Sequence, residues 1–424
     1  MRWVVFEDHK AQDLGSIALL RPVFELLCGR LCLRERLQQW FPRAAWGAVV
    51  RPCLASVYRE QHPDIAVNQV SRLTDSPTFW VNGRWVPDRM VRETEVTADT
   101  AGFLNGELVW IALEPEESAL LTGENQIETL YSIARLRRVV EAKGQLIARP
   151  WDLVDRNSKQ LVLDFQASGC SQFPERAHVQ CLGDPADVYL SELAEIDPYV
   201  VIDVRQGPVS IDRDVQIQSF TRIEGPCHIG AGSRVFRALI HKGTTIGPMC
   251  RVGGEVEESI LHGFVNKYHE GFLGHSYVCP WVNLGAISTT SDLKGNYSTV
   301  KVPLQGELVD SGQIKVGSFI GDHTKVAIDS MFNTGTSVGV MAMVVPGGRL
   351  LPRHIPSFCS VQYGELSDAW PLEESLALCR IAMGRRDQVM TDGEEQLIRQ
   401  IYADTADERT AALDRMKEKR LERS

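Results

Sequence analysis

The chain has 424 residues, 44% hydrophobic and 24% charged, which is enough for two or three domains with a buried core and unlike a disordered chain. A formal net charge of -10 lacks the Lys/Arg surplus by which proteins hold nucleic-acid backbones, so small-molecule chemistry is the expected class and nucleic acid is not an expected partner. Ten cysteines lie scattered without paired metal-ligand spacing, and free thiols of a cytoplasmic protein are expected.

At the start, Trp3 to Phe6 predicts a buried strand, and the turn to Glu7 and Asp8 lacks the apolar core of a signal peptide. Leu33 to Trp40 predicts a helix, and Ile127, Leu130, Tyr131 and Ala134 mark one face of another that begins near Glu124. This alternation predicts an α/β domain over residues 1–149. A connector helix starting at Pro150 and a linker are expected over 150–195. Residues 363–424 predict a helical tail, because Leu376, Cys379, Ile381 and Met383, then Leu397, Ile398 and Ile401, have helical spacing. No apolar run approaches the roughly 20 residues that span a bilayer, so no membrane association is expected.

Between linker and tail, residues 196–362 repeat. Ile211, Ile217, Ile223, Ile229 and Val235 stand six apart, and after a step of five the phase continues through Ile240, Ile246 and Val252. Leu273, Val278 and Leu284 follow, and Ile320, Val326, Phe332, Val338, Val344 and Leu350 are again six apart. Several are followed by glycine, as at Gly230, Gly247, Gly285, Gly321 and Gly339. Period six fits neither a helix nor a simple strand. It predicts a three-faced parallel β-helix in which each six residues make one short strand and one corner, with the aliphatic residues stacked inward as ladders.

Polar insertions break this regularity around Gly253 to Glu258, Asn266 to Gly274, and Val282 to Ala286. Irregularity in a regular array points to a site. His269 is the candidate general base, since an imidazole titrates near pH 6.5. Glu255 is the candidate carboxylate that orients it, and His262 and His275 are read as structural.

The run from His269 through Gly274 and Val282 through Ala286 resembles the acetyltransferase domain of the bifunctional UDP-N-acetylglucosamine pyrophosphorylase/glucosamine-1-phosphate N-acetyltransferase family. Asn266-Lys267, Asn283 to Ala286 and Asn296-Tyr297 are similar to its divergent sugar nucleotidyltransferase branch, as are Leu20 to Glu25 and Pro150 to Leu153. The resemblance implies a left-handed coil and transfer of an acyl group from acetyl-coenzyme A to the amine of a sugar phosphate, in nucleotide-sugar biosynthesis. It further implies a homotrimer. By the same resemblance His269 is the base and Glu255 its partner, the Ala286 N–H meets the oxyanion, Asn283 lies at the acceptor, and Arg251 holds its phosphate. Asp322 and Val340 line the coenzyme A groove through their backbone.

Two positions depart from the family pattern. Glu257 stands where an acceptor-binding lysine is expected, and Phe272 where a tyrosine is expected; Lys267, Lys294, Asn296 and Tyr297 are the candidates to compensate. The N-terminal domain departs further. After its first strand the glycine-rich phosphate loop of nucleotidyltransferases is replaced by an acidic stretch, leaving Lys10, Arg21 and Arg34 as the basic candidates for nucleotide binding. Mg²⁺ would belong to this domain, yet its aspartate is not identifiable, because Asn105-Gly106-Glu107 begins with an amide. Two alternatives stay open at this level: a sugar-1-phosphate nucleotidyltransferase with the prism as a trimerisation scaffold, and a non-catalytic metabolite-binding scaffold.

Overall fold

The computed structural model describes residues 2–421, apart from 70–71, 73–74, 90, 92–94, 122–124 and 175. Two compact units divide the chain. One comprises Met1–Leu14, Leu20–Leu26 and Leu31–Ala148, and the other Gly15–Leu19, Leu27–Arg30 and Arg149–Ser424.

The first unit is an α/β domain. In order it contains β1 (Arg2–Phe6), α1 (Leu33–Trp40), β2 (Trp46–Val49), α2 (Ala55–Gln61), β3 (Ala66–Val67), β4 (Thr78–Asn82), β5 (Trp85–Pro87), β6 (Thr100–Leu104), β7 (Glu107–Leu113), α3 (Pro115–Ser118), α4 (Gln126–Ala134), β8 (Arg138–Glu141) and β9 (Gly144–Leu146). Among the described residues seven strands form one mixed sheet in the order β3-β2-β1-β4-β7-β6-β8. β1 runs parallel to β2 and β4, and β7 antiparallel to β4. The apolar run of β1 is buried on both faces, as a central strand of a covered sheet must be. Helix α1 takes the predicted span, its start closed by the Glu35 carboxylate on the Cys32 N–H at 2.9 Å. Helix α4 buries Leu130 and Ala134 against Val4, Phe6 and Trp80; the expected start at Glu124 lies outside the described residues.

The second unit is a parallel β-helix. Strands Val188–Leu190, Val209–Ile211, Cys227–Ile229, Thr244–Ile246, Ile260–Leu261, Tyr277–Val278, Ser318–Ile320, Thr336–Val338 and His354–Ile355 stack as one parallel face. Ile229 pairs with Ile246 and Ile320 with Val338, so one coil takes 17 or 18 residues, three repeats of six. Coiling is under way by Gln180, which pairs with Val201, ahead of the expected boundary at 196. The ladder residues read from the sequence are buried, with one exception: Leu350 is 54% exposed and Leu351, at 3%, takes the inward place. Gly347 and Gly348, both at positive φ, add one residue to that corner and shift the phase.

The glycines that follow the ladder residues have a steric cause. A Cβ on Gly247 would lie 2.0 Å from the His262 carbonyl oxygen, and one on Gly339 would lie 2.1 Å from the Ser357 nitrogen, so only glycine lets successive coils close at this corner. The coil is left after Thr290 and regained at Ser318. The intervening insertion carries an antiparallel hairpin, Lys301–Leu304 with Glu307–Asp310.

Helix α5 (Pro150–Ser168) packs on the coil, burying Trp151 against Phe319. Its Asn157 accepts the Gly29 N–H at 2.6 Å and donates to the Gly243 carbonyl at 2.8 Å and to Thr245 Oγ1 at 3.0 Å, so the expected connector is part of the unit's core. The last coil strand, Cys359–Gln362, pairs antiparallel with Glu365–Ala369. Helices α6 (Leu372–Gly384), α7 (Asp392–Asp404) and α8 (Ala406–Leu421) form the expected tail. Among the described residues no helix is long and apolar enough to cross a membrane.

Candidate active site

The irregular coils meet at one corner. Strand Arg251–Glu257 pairs first with Asn266–Lys267 and then, beyond the corner, with Phe272–Gly274, leaving Tyr268 to Gly271 as the corner itself. Gly253 permits this stacking, since a Cβ there would lie 2.1 Å from the Tyr268 carbonyl oxygen. Lys267 is buried beneath the corner. Its ammonium donates to the carbonyls of Gly253 and Gly271, each at 2.7 Å, and of His269 at 3.3 Å. Burial pushes its pKa down to about 8, against the smaller pull of Glu270 and Glu255. Lys267 is thus a clamp on the backbone of the corner and not the substrate ligand expected from the sequence, because its three donors are already engaged.

His269 stands on this corner, exposed, its ring 4.8 Å from that of Tyr268, and its imidazole makes no hydrogen bond among the described residues. Ile287 N–H donates to the Glu270 carbonyl at 2.9 Å, which places Ala286 beside His269 on the next coil. The Ala286 carbonyl accepts from Asp329 N–H at 2.8 Å, while its own N–H has no acceptor among the described residues. A free imidazole and a free backbone donor therefore share one corner.

Glu255 is not bound to His269. Its carboxylate lies 3.1 Å from His241 Nε2, and His241 Nδ1 lies 2.9 Å from Glu224. Desolvation opposes a charge on His241, but the bonds to Glu224 and Glu255 outweigh it and hold its pKa above the usual histidine range. The reason is register: Glu255 lies past the corner, opposite Leu239, on the face where His241 and Glu224 project. The sequence does carry a signal for His241, since it follows Glu224 by 17 residues, one coil's length.

On the face before the corner, Arg251, Asn266, Asn283 and Lys325 occupy matched positions of successive strands. Asn266 Nδ2 donates to Asn283 Oδ1 at 2.6 Å. Arg251 Nη1 donates to the carbonyls of Cys250, Gly232 and Met249 at 2.9, 3.0 and 3.3 Å. Phe272, half-buried, sits beyond the corner opposite Glu255. Glu257 faces Lys315 at 3.5 Å, a cation supplied by the insertion.

Other expected ligands are used locally. Lys294 donates to Ser298 Oγ and to the Thr299 carbonyl, Asn296 Oδ1 accepts the Ser298 N–H at 3.1 Å, and Tyr297 is exposed on the same loop. Val340 offers coenzyme A no free backbone group: its N–H donates to Ser357 Oγ at 3.1 Å and its carbonyl accepts from Phe358 at 2.8 Å, the bonds that stack this corner. The Asp322 carbonyl likewise accepts from Met341 at 2.7 Å. His275, read as structural, is buried between Asp292 at 2.7 Å and Glu258 at 3.3 Å; desolvation works against its charge, yet the two carboxylates raise its pKa to about 9. His262 Nδ1 and the Tyr277 hydroxyl share a hydrogen bond at 3.0 Å.

In the first unit the carboxyl end of β1 is closed by acids. Glu7 accepts the N–H groups of Val23 and Arg51, each at 2.9 Å. Asp8 is gripped by the buried Arg84 at 2.8 and 2.7 Å and by Asn82 at 2.9 Å, and Arg84 also reaches Glu107 at 2.6 Å. Desolvation raises the Asp8 pKa, but Arg84 overcomes it and holds the carboxyl below the usual range. Lys10 pairs with Glu107 at 2.8 Å, so this expected nucleotide ligand is occupied; the Arg21 carbonyl accepts from Arg51 at 2.9 Å, and Arg34 pairs with Glu25 at 2.6 Å. The donor set does not fit Mg²⁺, since the carboxylates of Asp8 and Glu107 are each neutralised by cations, and no group of three His, Cys, Asp or Glu is placed to hold a metal among the described residues.

Residues 3–170 match the family model described as sugar nucleotidyl transferase. The chain is 28% identical over 220 residues to a bifunctional sugar-1-phosphate nucleotidylyltransferase/acetyltransferase of Sulfurisphaera tokodaii, covering 50% of this chain and 47% of the relative, so it spans about half the length of that curated protein. Solved structures similar to it include a hexapeptide transferase family protein from Anaplasma phagocytophilum (15% identity, TM-score 0.18, 53% of this chain and 96% of that one) and the Arabidopsis UDP-N-acetylglucosamine acyltransferase (12%, 0.21, 53% and 94%). Residues 3–170 are thus similar to the sugar nucleotidyl transferase family, and the chain that follows them coils as a parallel β-helix of six-residue repeats.

Proposed function

We propose that the chain is a coenzyme A-dependent N-acyltransferase that acts on an amino sugar phosphate of the glucosamine-1-phosphate kind, working as a cytoplasmic homotrimer. The observation that carries the reading is the corner where the His269 imidazole and the Ala286 N–H, neither with a partner among the described residues, lie on adjacent coils. In this reading the amine attacks the thioester carbonyl carbon while His269 takes the amine proton. The Ala286 N–H meets the oxyanion of the tetrahedral intermediate. Collapse breaks the C–S bond, and the departing thiolate leaves as the free thiol by taking that proton. Arg251 and Asn283 would bind the acceptor on the adjoining face. Exposed Ile287, Ile328 and Val345 on neighbouring coils support burial against further copies.

A second reading, sugar-1-phosphate nucleotidyl transfer in the first unit, is favoured by the family match over residues 3–170. The Glu7–Arg51 pair and the Asp8–Arg84–Glu107–Lys10 network weigh against it, because the cations at the end of β1 are already spent on carboxylates and are not left for a triphosphate. The test is thiol release from acetyl-coenzyme A with glucosamine-1-phosphate, in the intact protein and in His269→Ala. Release that needs His269 is expected; full activity in His269→Ala with an unchanged fold overturns the assignment.

A further inference from the structure

The insertion leaves the coil after Thr290, one face on from the corner of His269 and Ala286, so its hairpin belongs to another edge of the prism. The base of the hairpin is fixed. Val302 is fully buried, and Gly335 lets the coil meet the hairpin closely, since a Cβ there would lie 2.7 Å from the Lys301 carbonyl oxygen. Helix α8 is fixed where it starts: the Arg409 guanidinium lies 5.6 Å from the Phe358 ring of the last coil and donates to the Tyr402 carbonyl at 2.7 Å. Between the hairpin tip, the end of the coil and α8 is a cavity of about 410 Å³, a size at which pockets hold small molecules. Pro303 and Leu308 of the hairpin, Pro352 and Leu366 at the end of the coil, and Ala412 and Met416 of α8 make its lining mainly apolar.

Charged groups are set among these side chains. Arg353, Arg415 and Glu307 also line the cavity, and no side chain of the three has an ion pair or hydrogen bond among the described residues, whereas nearby Arg349 pairs with Glu365 at 3.5 Å. Both ring nitrogens of His354, another lining residue, are buried and make no hydrogen bond among the described residues; Glu408 stands 3.1 Å from Nε2 but out of line for one. Buried polar nitrogens without an acceptor or donor are costly, and a ligand oxygen would relieve that cost.

We propose that this cavity is a binding site for an apolar carboxylate, a single anionic head on a hydrocarbon body. The two arginines and Glu307 leave the lining one positive charge, which suits a monoanion better than a phosphoryl dianion, and guanidinium groups match carboxylate oxygens two at a time. The hydrocarbon body takes the place of water against Leu308, Leu366 and Met416. Hairpin, coil end and tail each contribute, so a bound ligand ties the three together. The site does not depend on the acyl-transfer reading.

The experiment is titration of the full chain with octanoate, followed calorimetrically and by thermal shift at constant ionic strength, with octanol as the uncharged control and acetate as the control without a tail. Octanoate is expected to bind and raise the melting temperature, and both controls to bind at least tenfold more weakly. Arg353→Gln, Arg415→Gln and Leu308→Asp are each expected to weaken octanoate about tenfold, with the fold checked by circular dichroism; Leu308 is 61% exposed, so its replacement leaves the core intact. Lys417→Gln, on α8 but outside the cavity, should keep the wild-type affinity. No binding of octanoate to the wild type, equal affinity for octanol, or unchanged affinity in either arginine variant overturns the proposal. Displacement of octanoate by acetyl-coenzyme A would also overturn it, because the cavity would then be part of the donor groove; failure of thiol release with glucosamine-1-phosphate would leave the binding result standing.

Discussion

Replacing Lys267 by methionine keeps the chain length of a buried side chain and removes only its ammonium. Two strong bonds at 2.7 Å, to Gly253 and Gly271, and a weaker one at 3.3 Å to His269 are lost. Charge-assisted bonds of this kind are worth about 1.5–3 kcal/mol each. Against that loss stands the relief of no longer burying a charge, which the depression of the Lys267 pKa from 10.5 to about 8 puts at roughly 3 kcal/mol. A net destabilisation of about 1–3 kcal/mol follows, a fall in melting temperature of roughly 3–10 °C. The catalytic loss is expected to be larger, about a hundredfold in thiol release, because the corner that presents His269 loses its anchor and displacements near 1 Å have that effect. Stability also acquires a pH signature. The folded pKa lies below the unfolded one, so between about pH 8 and 10.5 the unfolded chain binds more protons and wild-type stability gains on that of Lys267→Met as pH rises. Thiol release and thermal melts across this range are the assays. A methionine variant with thiol release within threefold of wild type would refute the clamp, and so would the absence of any pH-dependent difference.

His275 gives the opposite sign: its folded pKa of about 9 lies above the unfolded value, so its contribution is fully present below about pH 6.5 and is lost as pH rises through about 9, a loss that melts of His275→Gln should not show. Gly247→Ala should destabilise the coil by about 3 kcal/mol or more in denaturant titration, since the new Cβ falls 2.0 Å from a carbonyl oxygen, whereas Gly295→Ala, with nothing within 4 Å of its Cβ, should be neutral or slightly stabilising. Asn157→Ala removes the partners of the Gly29 N–H and the Gly243 carbonyl and is expected to lower stability by about 2–4 kcal/mol, measured as a shifted urea midpoint.

The architecture was legible because a period of six leaves little freedom: an aliphatic residue at each repeat has one inward place, and a glycine after it has one close neighbour. Leu350 marks the limit. Spacing alone put it on the ladder, but the two glycines at 347 and 348 take up one extra residue, which the sequence shows only as turn chemistry. His269 and Ala286 were legible as positions on a polar interruption, and the structure adds that they are neighbours. What the sequence could not convey is which charged residues are already satisfied. Lys267 reads as a ligand until its three carbonyls are seen, Glu255 pairs across coils with His241, and Lys10 is neutralised by an acid 97 positions away.

The antiparallel strand Glu365–Ala369 at the end of the coil has a consequence beyond its own stability. A parallel β-helix is open at its last turn, and the exposed backbone of Cys359–Gln362 would be a template on which another chain could continue the stack. A strand running the opposite way fills those hydrogen bonds and reverses the polarity offered to any newcomer, and α8 packs beside that strand. Truncation before Glu365 should therefore yield filaments or aggregates rather than a shorter enzyme.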